Sequence, residues 1–374
     1  MRRPTAILLV AGFLLVLGLP LAANIAGRDG GDAEEENRTL APFPTLHASW
    51  PSLSAFPQAF DTWFQDHFGF RSTLIRWNGR TRYFWLRVSP SPLVVKGKAG
   101  WLYYAVDGGV DDFTNETLLP DGQVDNWRTT IVRARDWCRA RGIAYLFTVL
   151  PDKHVIYKDQ FPDTIRQITP VSRADQVLAA TADTGVVLGV RDALLSAKTA
   201  DRLFHKTDTH WNDRGAFAAY QRIIDAVRRQ VPAVPPAKDR SAFDATSRWL
   251  SGRDLAAIIG LKRVVQEEDL RLLPRAGRGY RVVEPAGGYA TGGDGRIVTE
   301  IPGSSLPRAV IFRDSFTSAL APFLSEHFSR VVYLWQYNFD ADAVLAEHPD
   351  VVIQEIIGRH LYTFIPSPEL IPDP

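Results

Sequence analysis

The sequence has a single cysteine and almost no net charge, and each shortage excludes a class of protein. One thiol cannot form an internal disulfide or a cysteine-based zinc site. Lys and Arg total 43 against 42 Asp and Glu, so the formal charge is only +1 and the broad positive field typical of nucleic-acid binding is missing. Aromatic residues make up 11% of the chain, which excludes a disordered or fibrous protein.

The one cysteine, Cys138, falls on a helical stripe with Trp127, Ile131 and Ala134. A thiol on an apolar stripe is typical of a helix face that packs into a core. The pattern therefore predicts a buried, inert thiol rather than a nucleophile or a redox site.

The N-terminus carries an export signal. Arg2 and Arg3 precede an uncharged, strongly apolar run over residues 4–26. This length suits a signal peptide or an uncleaved anchor with both arginines in the cytoplasm, and the lack of a clean cleavage site favours the anchor. We expect a signal segment over 1–27, a flexible tether over 28–49, and one domain over 50–374 that works in the periplasm or another extracytoplasmic space.

Near-continuous apolar strands alternate with helices through much of the chain. This rhythm predicts an α/β fold in which a parallel sheet is covered by helices on both faces. Two aromatic helices and a strand, turn, strand unit are expected earlier, over residues 50–104. The predicted strands of the sheet are 144–150, 186–190, 309–312, 331–335 and 351–355, and the predicted helices include 124–141, 173–182 and one capped by Asn212.

Residues 232–307 lack the alternation of apolar strands and helices. Strands are expected only over 281–284 and 297–301, joined by a long glycine-rich turn. No lysine or helix start follows the glycines, so a phosphate loop is not expected. The glycines of this turn are Gly287, Gly288, Gly292, Gly293 and Gly295.

Ser315 follows the strand 309–312 directly and precedes a helix. A serine there lies at the carboxyl edge of a parallel sheet and at a helix N-terminus, where free N–H groups can stabilise an oxyanion. It can act as a nucleophile or simply cap the helix, and the local pattern leaves both open.

Asp208 and His210 form a second constellation just ahead of Asn212. Side chains two residues apart in an extended segment point to the same side. The Asp208 carboxylate can therefore bind one ring N–H of His210 and fix the imidazole tautomer. The other ring nitrogen is then available to take a proton from Ser315. A metal site built from His205, Asp208 and His210 is the weaker alternative because no further ligand cluster completes it. No metal or cofactor is therefore expected.

Five motifs, in this order and spacing, resemble the alginate O-acetyltransferase family of exported SGNH-hydrolase-like proteins. The resemblance covers most of residues 55–362. The motifs lie at 60–71, 97–103, 151–157, 207–215 and 314–316.

The resemblance implies a permuted SGNH-hydrolase-like domain with Ser315 as nucleophile, His210 as general base and Asp208 as the carboxylate that orients it. It also implies acetyl transfer to an exported polysaccharide, with acetyl groups supplied by a membrane-bound acyltransferase. Arg313 stands where many members of the wider hydrolase group have glycine, so the resemblance does not assign the oxyanion hole.

Five further residues are candidates for substrate contact. The same triad would also serve an acetyl esterase, since the sequence does not record whether water or sugar takes the acetyl group. A non-catalytic scaffold that binds polysaccharide is a third hypothesis, which the intact triad disfavours. The candidate substrate-binding residues are Trp211, Lys153, Tyr337, Asn338 and Arg359.

Overall fold

The computed structural model describes residues 3–26, 39–284 and 295–374. Much of the predicted tether and the glycines from Gly287 to Gly293 lie outside the described residues. The chain divides into two compact units: Met1–Val94 with Ser251–Gln266, and Val95–Leu250 with Glu267–Pro374. The domain boundaries expected from the sequence stay a prediction.

The elements are numbered in chain order over the described residues. The helices are α1 (Arg3–Ile25), α2 (Trp50–His67), α3 (Arg71–Arg80), α4 (Gly109–Thr114), α5 (Asp121–Ala140), α6 (Lys153–Ile156), α7 (Arg173–Ala180), α8 (Arg191–Ala197), α9 (Asp213–Gln230), α10 (Asp254–Ile258), α11 (Thr317–Leu324), α12 (Ala341–Glu347) and α13 (His360–Thr363). The strands are β1 (Val94–Lys96), β2 (Leu102–Tyr104), β3 (Ala144–Leu150), β4 (Val187–Gly189), β5 (Phe243–Ser251), β6 (Gln266–Pro274), β7 (Arg281–Glu284), β8 (Ile297–Glu300), β9 (Arg308–Arg313), β10 (Arg330–Trp335) and β11 (Val351–Ile357).

The first unit contains the aromatic helices expected from the four-residue spacing of phenylalanines. Along α2, the rings of Phe60 and Phe64 lie 6.3 Å apart and those of Phe64 and Phe68 lie 5.7 Å apart. Successive side chains four residues apart stack along one side of a helix, which is the contact that the spacing predicts. Helix α3 continues into a π-helical turn over Thr81–Trp85.

The second unit contains a mixed sheet, with strand order β4-β3-β11-β9-β10-β8-β7 over the described residues. The five strands from β4 to β10 in this order are parallel, as expected, but β8 pairs antiparallel with β10 and β7 antiparallel with β8. The parallel sheet expected from the sequence is therefore a mixed sheet, because β7 and β8 also join it at this edge. If β8 were parallel to β9 and β10, the chain would need a long crossover between β8 and β9. The segment 301–307 that joins them is too short for such a crossover.

Successive residues of the central strands face opposite sides of the sheet. Ala309 and Ile311 of β9 join a buried cluster with α8, α9 and α11, whereas Val310 and Phe312 join a second cluster with α5, α7 and α12. This period of two explains why the strands are apolar throughout: both faces are covered by helices. The same packing buries Cys138 on α5, and burial raises the pKa of its thiol to about 12, as expected of an inert cysteine.

No pattern in the sequence predicted β5 and β6, which pair with each other as a separate two-stranded sheet. Most residues of β5 are exposed, so both faces of this strand are exposed to solvent. A strand without a buried face has no apolar alternation, so periodicity could not reveal it.

His327, in the turn after α11, provides a pH-dependent contribution to stability. Its Nδ1 bonds the Pro235 carbonyl oxygen at 3.2 Å and its Nε2 bonds the Tyr220 hydroxyl at 2.6 Å, an arrangement that suits a neutral ring. Burial, helped by the charges of Lys238 and Arg228, lowers the pKa of His327 to about 4.

We expect this histidine to destabilise the fold in acid. Between the unfolded pKa near 6.5 and the folded pKa near 4, the unfolded chain binds the extra proton, so stability falls as the pH falls through this window, by about 3 kcal/mol in full. Urea unfolding midpoints of the wild type and His327→Gln from pH 7 to pH 4 measure the effect. An equally steep loss in both proteins would show that His327 is not responsible.

Candidate active site

Ser315 lies in the turn between β9 and α11, at the carboxyl end of a central strand. The Asp314 carboxylate holds this turn: Oδ1 accepts from the Phe316 amide at 2.8 Å, and Oδ2 accepts from the Ile357 amide at 3.1 Å and the Tyr337 hydroxyl at 2.7 Å. Helix α11 begins with Phe316 as its N-cap and without a side-chain cap. The capping role that the sequence left open for Ser315 is therefore not observed.

Glu355, on the neighbouring strand β11, supports the same turn from inside the sheet. Its Oε2 accepts from the Asp314 amide at 3.0 Å and from the Thr317 hydroxyl at 2.7 Å. Burial and the nearby Asp314 charge raise the pKa of the Glu355 carboxyl well above its usual range. The sequence analysis did not single out this residue, although a carboxyl inside an apolar strand was a usable signal.

The segment 204–211 forms a tight loop that presents Asp208 and His210. Phe204 and Trp211 form an antiparallel bridge at its base, and Asn212 caps α9 by accepting from the amides of Arg214 at 2.9 Å and Gly215 at 3.2 Å. Gly215 is required here because a Cβ would lie 2.4 Å from the Leu203 carbonyl oxygen. The predicted cap is confirmed, and it fixes where the loop ends.

Two buried charged residues hold this loop from behind. The Glu267 carboxylate accepts from the Thr207 amide at 2.7 Å, the Thr207 hydroxyl at 2.8 Å and the Arg202 guanidinium at 2.6 Å. The Lys153 ammonium donates to the carbonyl oxygens of His205 and Lys206 at 3.2 Å and of Asp208 at 2.6 Å. Glu267 was missed because it lies in β6, within the stretch that showed no apolar rhythm.

The loop brings His210 to Ser315 although the two are 105 residues apart in sequence. His210 Nε2 lies 2.7 Å from Ser315 Oγ, and His210 Nδ1 lies 2.8 Å from Asp208 Oδ1. Asp208 Oδ1 also accepts from the His210 amide at 3.1 Å. The three side chains are thus linked in the order carboxylate, imidazole, hydroxyl.

The charge state of Asp208 determines the tautomer of His210. Burial alone would raise the pKa of the Asp208 carboxyl, but the hydrogen bonds from the His210 ring and from the His210 amide hold that pKa below its usual range. An ionised carboxylate only accepts hydrogen bonds, so Nδ1 carries the proton and Nε2 is left to accept from Ser315. The arrangement can transfer a proton from the serine hydroxyl to the imidazole.

The alternative metal ligand His205 is turned toward Glu267. Its Nδ1 lies 4.0 Å from Glu267 Oε1, and the side chain is buried. The candidate triad therefore uses Asp208 and His210 without His205.

The five candidate substrate residues surround the same sheet edge but differ in accessibility. Trp211 is buried, and its Nε1 donates to the Phe316 carbonyl at 3.0 Å. Lys153 and Arg359 are also buried, and Arg359 pairs with Asp152. Tyr337 is half-buried and Asn338 is exposed. Contact of these residues with a sugar stays a prediction, and the internal contacts of the first three favour positioning roles.

Residues 94–277 match the model of the family described as "SGNH hydrolase-like domain, acetyltransferase AlgX". The resemblance to the alginate O-acetyltransferase family is confirmed. The matched stretch includes Asp208 and His210 and ends before Ser315. The fold is accordingly SGNH-like α/β, with a mixed sheet and helices on both faces.

Two curated relatives share one name, probable alginate O-acetylase AlgJ. The chain is 31% identical over 196 residues to the probable alginate O-acetylase AlgJ of Pseudomonas aeruginosa, covering 49% of this chain and 44% of that protein. It is 26% identical over 205 residues to the protein of that name from Pseudomonas syringae, covering 54% and 50% respectively. The chain thus spans about half the length of the curated relatives it matches.

The fold is also similar to a solved structure, that of Bacillus cereus PatB1. The TM-score is 0.54 at 17% sequence identity, and the similarity covers 73% of this chain and 98% of that one. At this identity the likeness concerns the fold alone.

Proposed function

We propose that the chain is an O-acetyltransferase that acetylates hydroxyl groups of an exported, alginate-type polysaccharide through an acyl-enzyme on Ser315. The observation that carries the proposal is the continuous link from Asp208 through His210 to the Ser315 hydroxyl, at 2.8 and 2.7 Å. Similarity to proteins named alginate O-acetylase supports the acetyl group and the polysaccharide class. The order Asp208, His210, Ser315 along the chain fits a permuted SGNH arrangement.

The proposed reaction has two steps. Ser315 Oγ attacks the acetyl carbonyl of the donor while His210 Nε2 takes its proton, which then passes to the departing group of the donor. In the second step Nε2 takes the proton of a sugar hydroxyl, whose oxygen attacks the acetyl carbon and releases Ser315 Oγ, which recovers the proton. The positive end of α11 beside Ser315 would stabilise the oxyanion in both steps.

We further propose that α1 anchors the chain in the cytoplasmic membrane, with the catalytic unit on the far side. By length and composition, Pro4–Asn24 could cross a bilayer, with a mean hydropathy of 2.6, although a signal sequence passes the same test. Arg2 and Arg3 would remain in the cytoplasm. This location suits a polysaccharide acceptor met during export and a membrane-bound acyltransferase as the acetyl supplier.

The decisive experiment supplies the full chain in detergent with an activated acetyl ester and alginate oligosaccharides. Mass spectrometry should find an acetyl group on the peptide that contains Ser315, and acetylated sugar when oligosaccharide is present. Ser315→Ala is the matched control and should give neither product. Acetyl-Ser315 that only water discharges would identify an esterase, and turnover without acetyl-Ser315 would contradict the mechanism.

A further inference from the structure

Helix α3 and the π-helical turn after it form a basic, aromatic segment. Residues 71–88 contain five arginines and no Asp or Glu. The apolar side chains on its outer side form what we call the α3 surface. Trp77 is 71% exposed and Trp85 is 86% exposed. The α3 surface consists of Leu74, Trp77, Phe84, Trp85 and Leu86, all exposed.

The opposite side of the same segment is packed against its own unit. Ser72, Gly79 and Tyr83 are buried, and a Cβ added to Gly79 would lie 2.9 Å from the Ile259 carbonyl oxygen. This close approach fixes the rotation of the segment about its axis. The α3 surface is therefore held outward, whereas large apolar side chains of a helix ordinarily face the core.

The segment begins beside the end of the candidate membrane span. The Asn24 side-chain amide donates to the His67 carbonyl oxygen, and a Cβ added to Gly69 would lie 2.1 Å from the Pro20 carbonyl oxygen. Helix α3 starts two residues after Gly69, at Arg71. If α1 spans the bilayer, the start of α3 lies where α1 leaves it.

We propose that the α3 surface lies in the headgroup region of the bilayer, on the side opposite Arg2 and Arg3. Arg80 and Arg87 of the same segment would then contact anionic lipid phosphates. The proposal rests on the anchor role of α1 proposed above. Tryptophan is enriched at membrane interfaces, and arginines near the surface bind acidic headgroups. Arg80 and Arg87 are exposed; Arg80 is three residues after Trp77, and Arg87 directly follows Leu86. Such docking would hold the first unit on the membrane rather than leave it free on a tether.

Lipid contact can be mapped with an environment-sensitive dye on single cysteines of the full chain in nanodiscs. The native Cys138 is fully buried, so the unmodified chain gives the labelling blank. Leu74→Cys and Leu86→Cys report on the α3 surface, Leu14→Cys reports on the span, and Ile168→Cys, 65% exposed in the second unit, is the matched control. Quenching by lipids with a spin label near the headgroup or deep in the acyl chain gives the depth.

We expect headgroup-region quenching at residues 74 and 86, deep quenching at residue 14 and little quenching at residue 168. If quenching at residues 74 and 86 is no stronger than at residue 168 while residue 14 is deeply quenched, the proposed lipid contact of the α3 surface is wrong and the anchor role of α1 is retained. Protection of 74 and 86 only after a membrane extract is added would identify a protein partner instead and also overturn it. If α1 is cleaved off, the anchor proposal is wrong. The same labels on the cleaved chain, mixed with phosphatidylglycerol vesicles, then test separately whether the α3 surface contacts lipid.

Arginine substitutions provide an independent test of contact with anionic lipid. In nanodiscs that contain phosphatidylglycerol, Arg80→Gln and Arg87→Gln should each lower the ratio of docked to undocked protein roughly fivefold, since an arginine near an anionic surface contributes about 1 kcal/mol. Arg166→Gln, at an exposed site of the second unit, should leave the ratio unchanged. Equal behaviour of all three variants would contradict contact with anionic lipid.

Discussion

Replacing Ser315 or His210 by alanine should each abolish nearly all acetyl transfer, and the double variant should be hardly worse than either single one. The physical reason is that the two side chains share one proton transfer across the 2.7 Å contact between His210 Nε2 and Ser315 Oγ. Once either atom is gone, the other has no step to assist, so the losses are not multiplicative. Rates of acetyl transfer from an activated ester for the three variants measure this.

Asp208→Asn tests the third member of the proposed triad. The asparagine amide can donate to Nδ1, which would place the imidazole proton on Nε2 and remove the base that faces Ser315. A loss of about 10⁴-fold is the scale seen for this change in a serine protease triad. Matching circular dichroism and unfolding midpoints would show that the fold is retained. Multiplicative losses from Ser315→Ala and His210→Ala in well-folded protein would contradict a shared step.

The largest expected effect on stability comes from Arg359→Met. The Arg359 guanidinium pairs with the Asp152 carboxylate, and both side chains are almost fully buried, at 7% and 6% exposed. Asp152 Oδ2 also accepts from the Arg359 amide at 3.1 Å. Removing the guanidinium leaves a buried carboxylate without its counter-charge, which costs about 3–5 kcal/mol.

Arg275→Met is the matched control for this prediction. Arg275 pairs with Asp244 at 2.9 Å, but the two side chains are 62% and 59% exposed, so the loss should be below about 1 kcal/mol. Adding Asp152→Asn to Arg359→Met should recover part of the loss because the buried charge is then removed. Urea unfolding midpoints of the four proteins provide the comparison. Similar midpoints for Arg359→Met and Arg275→Met would contradict the prediction.

Much of the fold could be predicted because the relevant signals are local. The strand at 144–150 has the observed bounds of β3, and those of β9, β10 and β11 differ by only a few residues from the prediction. Apolar runs separated by amphipathic helices are dictated by burial on both faces of a sheet. The two edge strands β7 and β8 were predicted as strands but not as antiparallel, because direction depends on pairing rather than on composition.

The features of the candidate site also separate into those that depend on local sequence and those that depend on tertiary packing. Local sequence predicted that Asp208 pairs with His210, but in an extended segment where the structure has a tight loop. It also predicted that Asn212 caps α9 and that Ser315 follows a strand, since each of these features depends on neighbours within a few residues. The contact of His210 with Ser315, 105 residues away, and the burial of Lys153 and Glu267 behind the loop depend on the tertiary structure. These contacts join side chains from separate strand ends. The packing of the sheet and its helices, not local chain geometry, determines which of those ends converge.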